Sequence, residues 1–313
     1  MNKEDDIRLD QKVRAAWMYY IAGLNQSEIA SQLGTSRPVV QRLIAAAKDE
    51  GIVSIGLHHP VANCLDYAQL LKEKYQLTDC NIMPVYSIES TLDSVTFGCY
   101  QLMARYLQGD KPTIVGIGSG LTLKKTIKRI DFDSQNTRCV ALISAMNEHG
   151  QCNYYDDVPL LLASKIQGKY YQWPAPRYAQ SREEYQMWST NRLFRNVSTV
   201  ARDSDVIFVG IGALGRQSPI FKDGFIDEQQ LEELTARGGV GEILGRFIDA
   251  EGNVVESQIN QMITSHDIRE SNCPRIAAAC GEDKRPAILA ALKGGWINGL
   301  VTDEHTARWL LTR

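Results

Sequence analysis

Apolar residues are spaced by one rule up to about residue 57 and by another from Cys80 onward. The first stretch keeps the helical period. Val13, Ala16, Trp17, Tyr20 and Ile21 form a stripe on a helix over residues 9–21, which Gly23 ends. Asn25 starts a second helix, with Glu28 completing a capping box and Ile29, Ala30 and Leu33 as its apolar face. Gly34 permits a tight turn. Thr35 or Ser36 then caps a third helix that carries Val40, Leu43, Ile44 and Ala47 inward, with Pro38 in its first turn, where a missing N–H costs nothing. Gly51 closes this helix, and residues 52–57 alternate like a small wing strand. His58 and His59 point opposite ways on an extended segment, so they read as a solvated linker rather than a metal pair. A connecting helix is expected over 62–75.

Beyond Cys80, short apolar runs at 81–85, 113–116, 139–143, 170–173, 206–211, 275–280 and 298–302 read as strands. Helical patterns lie between them at 93–107, 158–166, 183–200, 227–236, 284–293 and 304–311. Such alternation predicts an α/β fold, a mostly parallel Rossmann-like sheet covered on both faces. The chain thus divides into residues 1–57, a winged helix-turn-helix domain, and residues 58–313, a large sheet domain. Ligands of such sheets bind beyond the carboxyl ends of the strands, near a topological switch point.

Composition narrows the function classes. At 313 residues, with 44% hydrophobic and 23% charged content, the chain has length for one large domain or two and the balance of a soluble protein. A net charge of -3 gives no global attraction for nucleic acid, so any such site is local. The seven cysteines, Cys64, Cys80, Cys99, Cys139, Cys152, Cys273 and Cys280, show no C-x-x-C pair or histidine companion, so zinc is not expected. They read as reduced thiols of a cytoplasmic protein. The start of the chain lacks a signal-peptide core, and no run reaches the 18 or so apolar residues that span a bilayer.

The first chemistry lies on the third helix. A short helix, a glycine turn and a second helix with polar and basic residues near its start is the helix-turn-helix pattern, which reads bases in the major groove. Arginine suits guanine, glutamine suits adenine, and an outward valine meets a thymine methyl. The candidate DNA-contacting residues are Gln26, Thr35, Ser36, Arg37, Val39, Gln41 and Arg42. The charge signal is weak, with five basic residues against three acidic ones from Lys12 to Glu50. A small bundle used for protein contacts is the competing reading. Helix-turn-helix dimers bind two-fold sites, so the expected operator is palindromic.

The second chemistry is carried by four glycine-bearing segments. Gly116-Ile117-Gly118-Ser119-Gly120 follows an apolar run and opens a helix. Backbone N–H groups at such a helix start attract a phosphate, and the Ser119 and Thr122 hydroxyls add donors. An ordinary strand-to-helix turn is the alternative. Gly210-Ile211-Gly212-Ala213-Leu214-Gly215 satisfies G-x-G-x-x-G, but Pro219 and Gly224 follow where a helix is required, and the first loop has Leu121 at the third glycine. A nicotinamide cofactor is therefore not expected. The third segment holds Gly239, Gly241 and Glu242; the fourth, residues 280–284, places Lys284 in a helix's first turn, where the helix dipole disfavours a cation unless it serves a bound anion.

These glycine-rich strand ends resemble the ribose-5-phosphate isomerase and glucosamine-6-phosphate deaminase fold. Those enzymes carry a strand-end acid pair where this chain has Gly210-Ile211-Gly212-Ala213, and a lysine where it has Arg237. Proton transfer at carbon needs a positioned base, and Glu242 alone remains, so the pocket looks kept and the chemistry lost. A sugar-phosphate pocket behind a helix-turn-helix resembles the SorC family of bacterial transcriptional regulators. The resemblance runs from about Lys12 to Leu311. Its carriers are residues 23–30 (GLNQSEIA), 173–176 (WPAP), 209–213, 239–245, 281–284 and 300–303 (LVTD). It implies a phosphate on Gly116, Gly118, Ser119, Gly120 and Thr122, with Gly210, Gly212 and Gly241 lining the crevice. It also implies Glu242 and Lys284 at the sugar end, Asp303 and the Asp156/Asp157 pair as lesser contacts, and a homotetramer spanning two palindromic sites. Residues 85–92 (VYSIESTL) and the tyrosine-rich 153–155 (NYY) depart from the family pattern and bear on ligand choice. An isomerase or deaminase with an added helical domain and a protein-interaction module are the competing functions.

Overall fold

In a computed structural model, residues 3–53, 59–146, 152 and 157–313 are described. The chain forms two compact units, residues 1–59 and 60–313. In the first, α1 (Lys3–Tyr20), α2 (Gln26–Gln32) and α3 (Arg37–Asp49) pack around Ala15, Ile29, Val40 and Ile44. Asn25 caps α2 as expected, accepting from the Ser27 and Glu28 N–H groups while the Glu28 carboxylate accepts from the Asn25 N–H at 2.7 Å. The stripe expected on α1 is corrected. Ala15 and Ala16 are buried, whereas Val13, Trp17 and Ile21 stand exposed, Trp17 at 57%. Two alanines let the helix seat closely, which turns the larger side chains outward. Ile52 and Val53 lie in a bend, and the rest of the expected wing and His58 fall outside the described residues.

The second unit begins with α4 (Pro60–Tyr75) and continues through β1 (Asp79–Met83), α5 (Thr91–Leu107), β2 (Thr113–Ile117), α6 (Leu121–Lys128), β3 (Thr137–Ala141), α7 (Val158–Lys165) and β4 (Lys169–Tyr171). Next come α8 (Arg182–Thr190), α9 (Arg192–Arg202), β5 (Val206–Val209), β6 (Gly212–Ala213), α10 (Pro219–Lys222), α11 (Glu228–Ala236), β7 (Gly239–Ile243) and β8 (Arg246–Asp249). The chain closes with α12 (Gln258–Gln261), β9 (Arg275–Ala278), α13 (Arg285–Lys293), β10 (Gly299–Asp303) and α14 (Glu304–Leu311). Seven strands form one parallel sheet in the order β1-β10-β9-β5-β2-β3-β4. Strands β2, β5 and β10 are buried on both faces, as their apolar runs require. Val115, Ile117, Phe208 and Ile276 pack toward one helical layer with residues of α5, α6 and α7, while Ile207, Val209, Ala277 and Leu300 pack toward α4, α9, α13 and α14.

The order places a switch point between β2 and β5. From β2 the chain winds outward through β3 to β4, then returns to β5 on the other side of β2 and winds outward again through β9 and β10.

Two expectations change here. The helix expected over 183–200 is two, because Asn191 breaks it and caps α9 by accepting from the Leu193 and Phe194 N–H groups. A small antiparallel sheet, β6-β7-β8, stands where the sequence shows only glycine segments. Its β7–β8 turn has positive φ at both Leu244 (50°) and Gly245 (78°), a tight hairpin geometry that favours asparagine or glycine. Leucine in the first place hides the turn from a sequence reading.

Candidate functional site

The switch point carries the first glycine segment. Gly116 lies inside β2, not in the turn, and a side chain there would strike Ile207, Leu142 and Ser204, so this glycine serves sheet packing. The turn proper is Gly118, Ser119 and Gly120. Gly120 has φ 119°, which a side chain disfavours, and open space where a Cβ would stand. Among the described residues, the N–H groups of Ser119 through Leu123 and the hydroxyls of Ser119 and Thr122 have no hydrogen-bond partner. Thr122 is nonetheless only 7% exposed. Exposed N–H groups at the start of a helix form an anion site by geometry and dipole together.

The other segments converge on this turn. A Cβ on Gly210 would lie 3.3 Å from the Ser119 carbonyl oxygen, so the β5 end abuts the β2 end. Gly212 pairs with Glu242 across β6 and β7 and leaves room for that carboxylate, which also accepts the Gly245 N–H at 2.8 Å. Gly241 gives close approach to Ala287 on α13. Leu244 closes the ring, 3.0 Å from where a Cβ on Gly118 would stand. Beyond β9 the chain runs through Ala279 and Cys280 to Gly281, and a 3₁₀ turn over Glu282–Lys284 leads into α13.

Lys284 makes no ion pair among the described residues. Its neighbour Arg285, passed over in the sequence reading, bonds Glu282 at 3.2 Å while its buried Nε has no acceptor among the described residues. Arg285, like Lys284, is a cation in the first turn of a helix. Asp303 is engaged structurally: it caps α14 through the Thr306 N–H at 2.9 Å and hydroxyl at 2.6 Å, and it accepts from the Gly281 N–H at 3.3 Å. Asp157 is the α7 cap residue and pairs with buried Lys124 at 2.9 Å; Asp156 and residues 153–155 fall outside the described residues. Burial, and then the charge of Asp303, push the Cys280 thiol up to about 11, with Lys284 acting the other way, so the thiol is protonated at neutral pH and is no nucleophile.

A family model for a sugar-binding domain matches residues 59–312. The erythritol catabolism regulatory protein EryD of Brucella abortus (strain 2308) is 30% identical over 302 residues, 96% of this chain and 95% of that protein. The transcriptional regulator LsrR of Escherichia coli (strain K12) is 31% identical over 313 residues, 96% and 94% of the two chains. The full-length sorbitol operon regulator SorC from Klebsiella pneumoniae superposes with a TM-score of 0.72 at 26% identity, covering 98% of this chain and 99% of that one. The chain belongs to the SorC family of sugar-binding transcriptional regulators. It is a regulator of carbohydrate metabolism rather than an enzyme, and the isomerase-like strand ends are those of a binding domain.

In this SorC-type chain α3 is the helix on which the sequence places most of the candidate DNA-contacting residues. Gln41, Arg42, Ser36 and Arg37 are exposed, Thr35 is half-buried, and Val39 is half-buried where full exposure was expected. Ser36 occupies the cap position without a side-chain bond, which leaves its hydroxyl available. Arg37 Nε donates to Gln26 Oε1 at 3.4 Å, so these two predicted residues come together across the turn. Arg42 Nε reaches the Pro38 carbonyl at 3.4 Å, and the rest of its guanidinium projects outward. Among the described residues no group of three potential metal ligands occurs, and no helix is long and apolar enough to cross a membrane.

Proposed function

We propose that the crevice at the β2–β5 switch point holds the phosphate of a phosphorylated sugar on Gly118, Ser119, Gly120 and Thr122. Gly210, Gly212, Gly241 and Glu242 shape the sugar end, and Lys284 with Arg285 supplies positive charge from the β9 side. Residues 1–57 bind a palindromic operator through α3, and residues 58–313 carry effector binding and assembly into a cytoplasmic homotetramer. The operon is one of carbohydrate use, in keeping with the erythritol and sorbitol regulators among its relatives. What supports the reading most is a set of unpartnered N–H and hydroxyl donors gathered at one helix start on a topological switch point.

The test is binding of a panel of sugar phosphates to the full chain, read by calorimetry and by release or tightening of operator DNA. Ser119→Ala with Thr122→Val should weaken the active phosphosugar about tenfold or more, since a hydrogen bond to a charged group contributes about 1.5–3 kcal/mol. Operator binding without sugar should be unchanged. A double variant with the wild-type response places the phosphate elsewhere and ends this assignment.

A further inference from the structure

A second concavity of about 610 Å³ lies in the large unit, and none of the predicted effector residues lines it. Its size is that of a small-molecule site, about 300–1,000 Å³. The chain around Arg177 and Tyr178, the turn into α11, and α12 form its walls. Phe225, Ile259 and Met262 contribute apolar surface, and Gln180, Gln229 and Gln258 stand around them. The three glutamine side chains are exposed and make no hydrogen bond among the described residues.

The charged groups of the cavity are already engaged. Arg177, only 6% exposed, donates from Nη2 to the Ser144 carbonyl at 3.2 Å and lies 3.5 Å over the Phe225 ring. Glu233 pairs with Arg237 at 3.0 Å, and Asp227 caps α11 by accepting the Gln230 N–H at 2.8 Å. Two carboxylates oppose an anion there, and the Arg177 cation is already held by the Ser144 carbonyl and the Phe225 ring. Carboxamides both donate and accept, as hydroxyls do, and apolar side chains between them suit the C–H faces of a carbon frame. We infer that this cavity is a second ligand site, for an uncharged polyhydroxylated compound (a polyol or free sugar) and not for a phosphate ester.

The cavity also touches the crevice's own machinery. The Tyr178 hydroxyl donates to the Gly245 carbonyl at 2.7 Å, and the Gly245 N–H donates to Glu242. The adjacent Leu244 bears on Gly118. Burial pushes the Tyr178 hydroxyl far up, so it stays a donor at every working pH. A ligand that moves Tyr178 therefore moves the β7–β8 turn, and with it both the sugar end and the phosphate turn. This coupling rests on the effector reading above; occupancy of the cavity does not.

Erythritol, ribitol, glucitol, ribose and glucose serve as probes, each titrated calorimetrically into the full chain up to about 10 mM, enough to fill a site of Kd ~1 mM. One or more should bind. Gln229→Trp and Gln258→Trp, at exposed lining positions, should each weaken that binding about tenfold or more, while Ser119→Ala with Thr122→Val leaves it intact. Circular dichroism and melting curves confirm that the tryptophan variants fold. No binding by any probe, binding that survives both tryptophans, or binding lost with the Ser119 and Thr122 variant overturns the site. The bound probe should shift phosphosugar affinity about fivefold, within the usual range of coupling between sites, and Tyr178→Phe should erase that shift while probe binding persists. A shift that survives Tyr178→Phe refutes the coupling route. If no phosphosugar binds the crevice, the effector reading fails and the direct titrations still decide the cavity.

Discussion

His266 is 4% exposed, and its Nε2 shares a hydrogen bond of 2.8 Å with Ser271. Burial first, and then Arg246, lower its pKa from 6.5 to about 4. Because the folded value lies below the unfolded one, the unfolded chain takes up the proton first. Stability is full above about pH 6.5 and falls as the pH drops toward 4, by up to roughly 3 kcal/mol across that window. Urea midpoints at pH 7.5 and pH 5 should therefore differ less in His266→Gln than in the parent. An unchanged difference removes His266 as the source. The glycines argue at the same scale for care in choosing probes. Gly118→Val would press on Leu244 as well as on a phosphate, so it tests packing and binding at once. The Ser119 and Thr122 side chains separate the two.

At the scale of elements, α2 is a helix of seven residues and depends on its cap, since so short a helix is marginal by itself. Asn25→Ala removes an acceptor for two N–H groups and leaves the Glu28 carboxylate to answer alone. A lost cap of this kind costs about 1 kcal/mol, so α2 amides should exchange about fivefold faster with solvent, while amides of β2 and β5 are unaffected. Equal exchange in α2 would show that tertiary packing on Ile29 and Ala30 suffices. The β7–β8 hairpin is an element of a different kind. Gly212 and Gly241 let β6, β7 and α13 approach closely, and its turn holds Leu244 in the left-handed region, against Gly118.

In the whole molecule, effector binding and operator binding are tied by linkage if one shifts the other. A sugar phosphate that changes operator affinity must have its own affinity changed equally by operator. Arg42→Ala should weaken operator binding by about 1–3 kcal/mol and relax preference at one base pair in each half-site, with no effect on phosphosugar binding in the absence of DNA. Footprinting with a randomised operator reads the first outcome and calorimetry the second. A uniform loss across all sequences would make Arg42 a phosphate-backbone contact instead of a base reader. A footprint without two-fold symmetry would count against the dimeric mode of binding.

The sequence alone determined which segments become elements wherever a local rule decides the matter. Asn25 with Glu28 is a capping box on any scaffold, and runs such as residues 206–209 are buried strands because nothing else shelters so many β-branched and aromatic side chains in a row. It also carried the chemistry of single segments, including the Ser119 and Thr122 donors and the missing strand-end acids at Gly210 to Ala213. Tertiary structure decided whatever depends on what lies opposite. Gly116 and Gly118 look alike in the chain, yet one meets Ile207 and Leu142 within the sheet and the other meets Leu244 at the turn. Trp17 and Val13 have the spacing of a buried face, but two neighbouring alanines set the rotation of α1 and leave them outside. Lys284 and Asp303 both lie in segments that carry the family resemblance, and only the fold commits Asp303 to capping α14 and leaves Lys284 without an ion pair among the described residues. Local propensity acts over a few residues, whereas burial and partnership are fixed by groups up to hundreds of positions away.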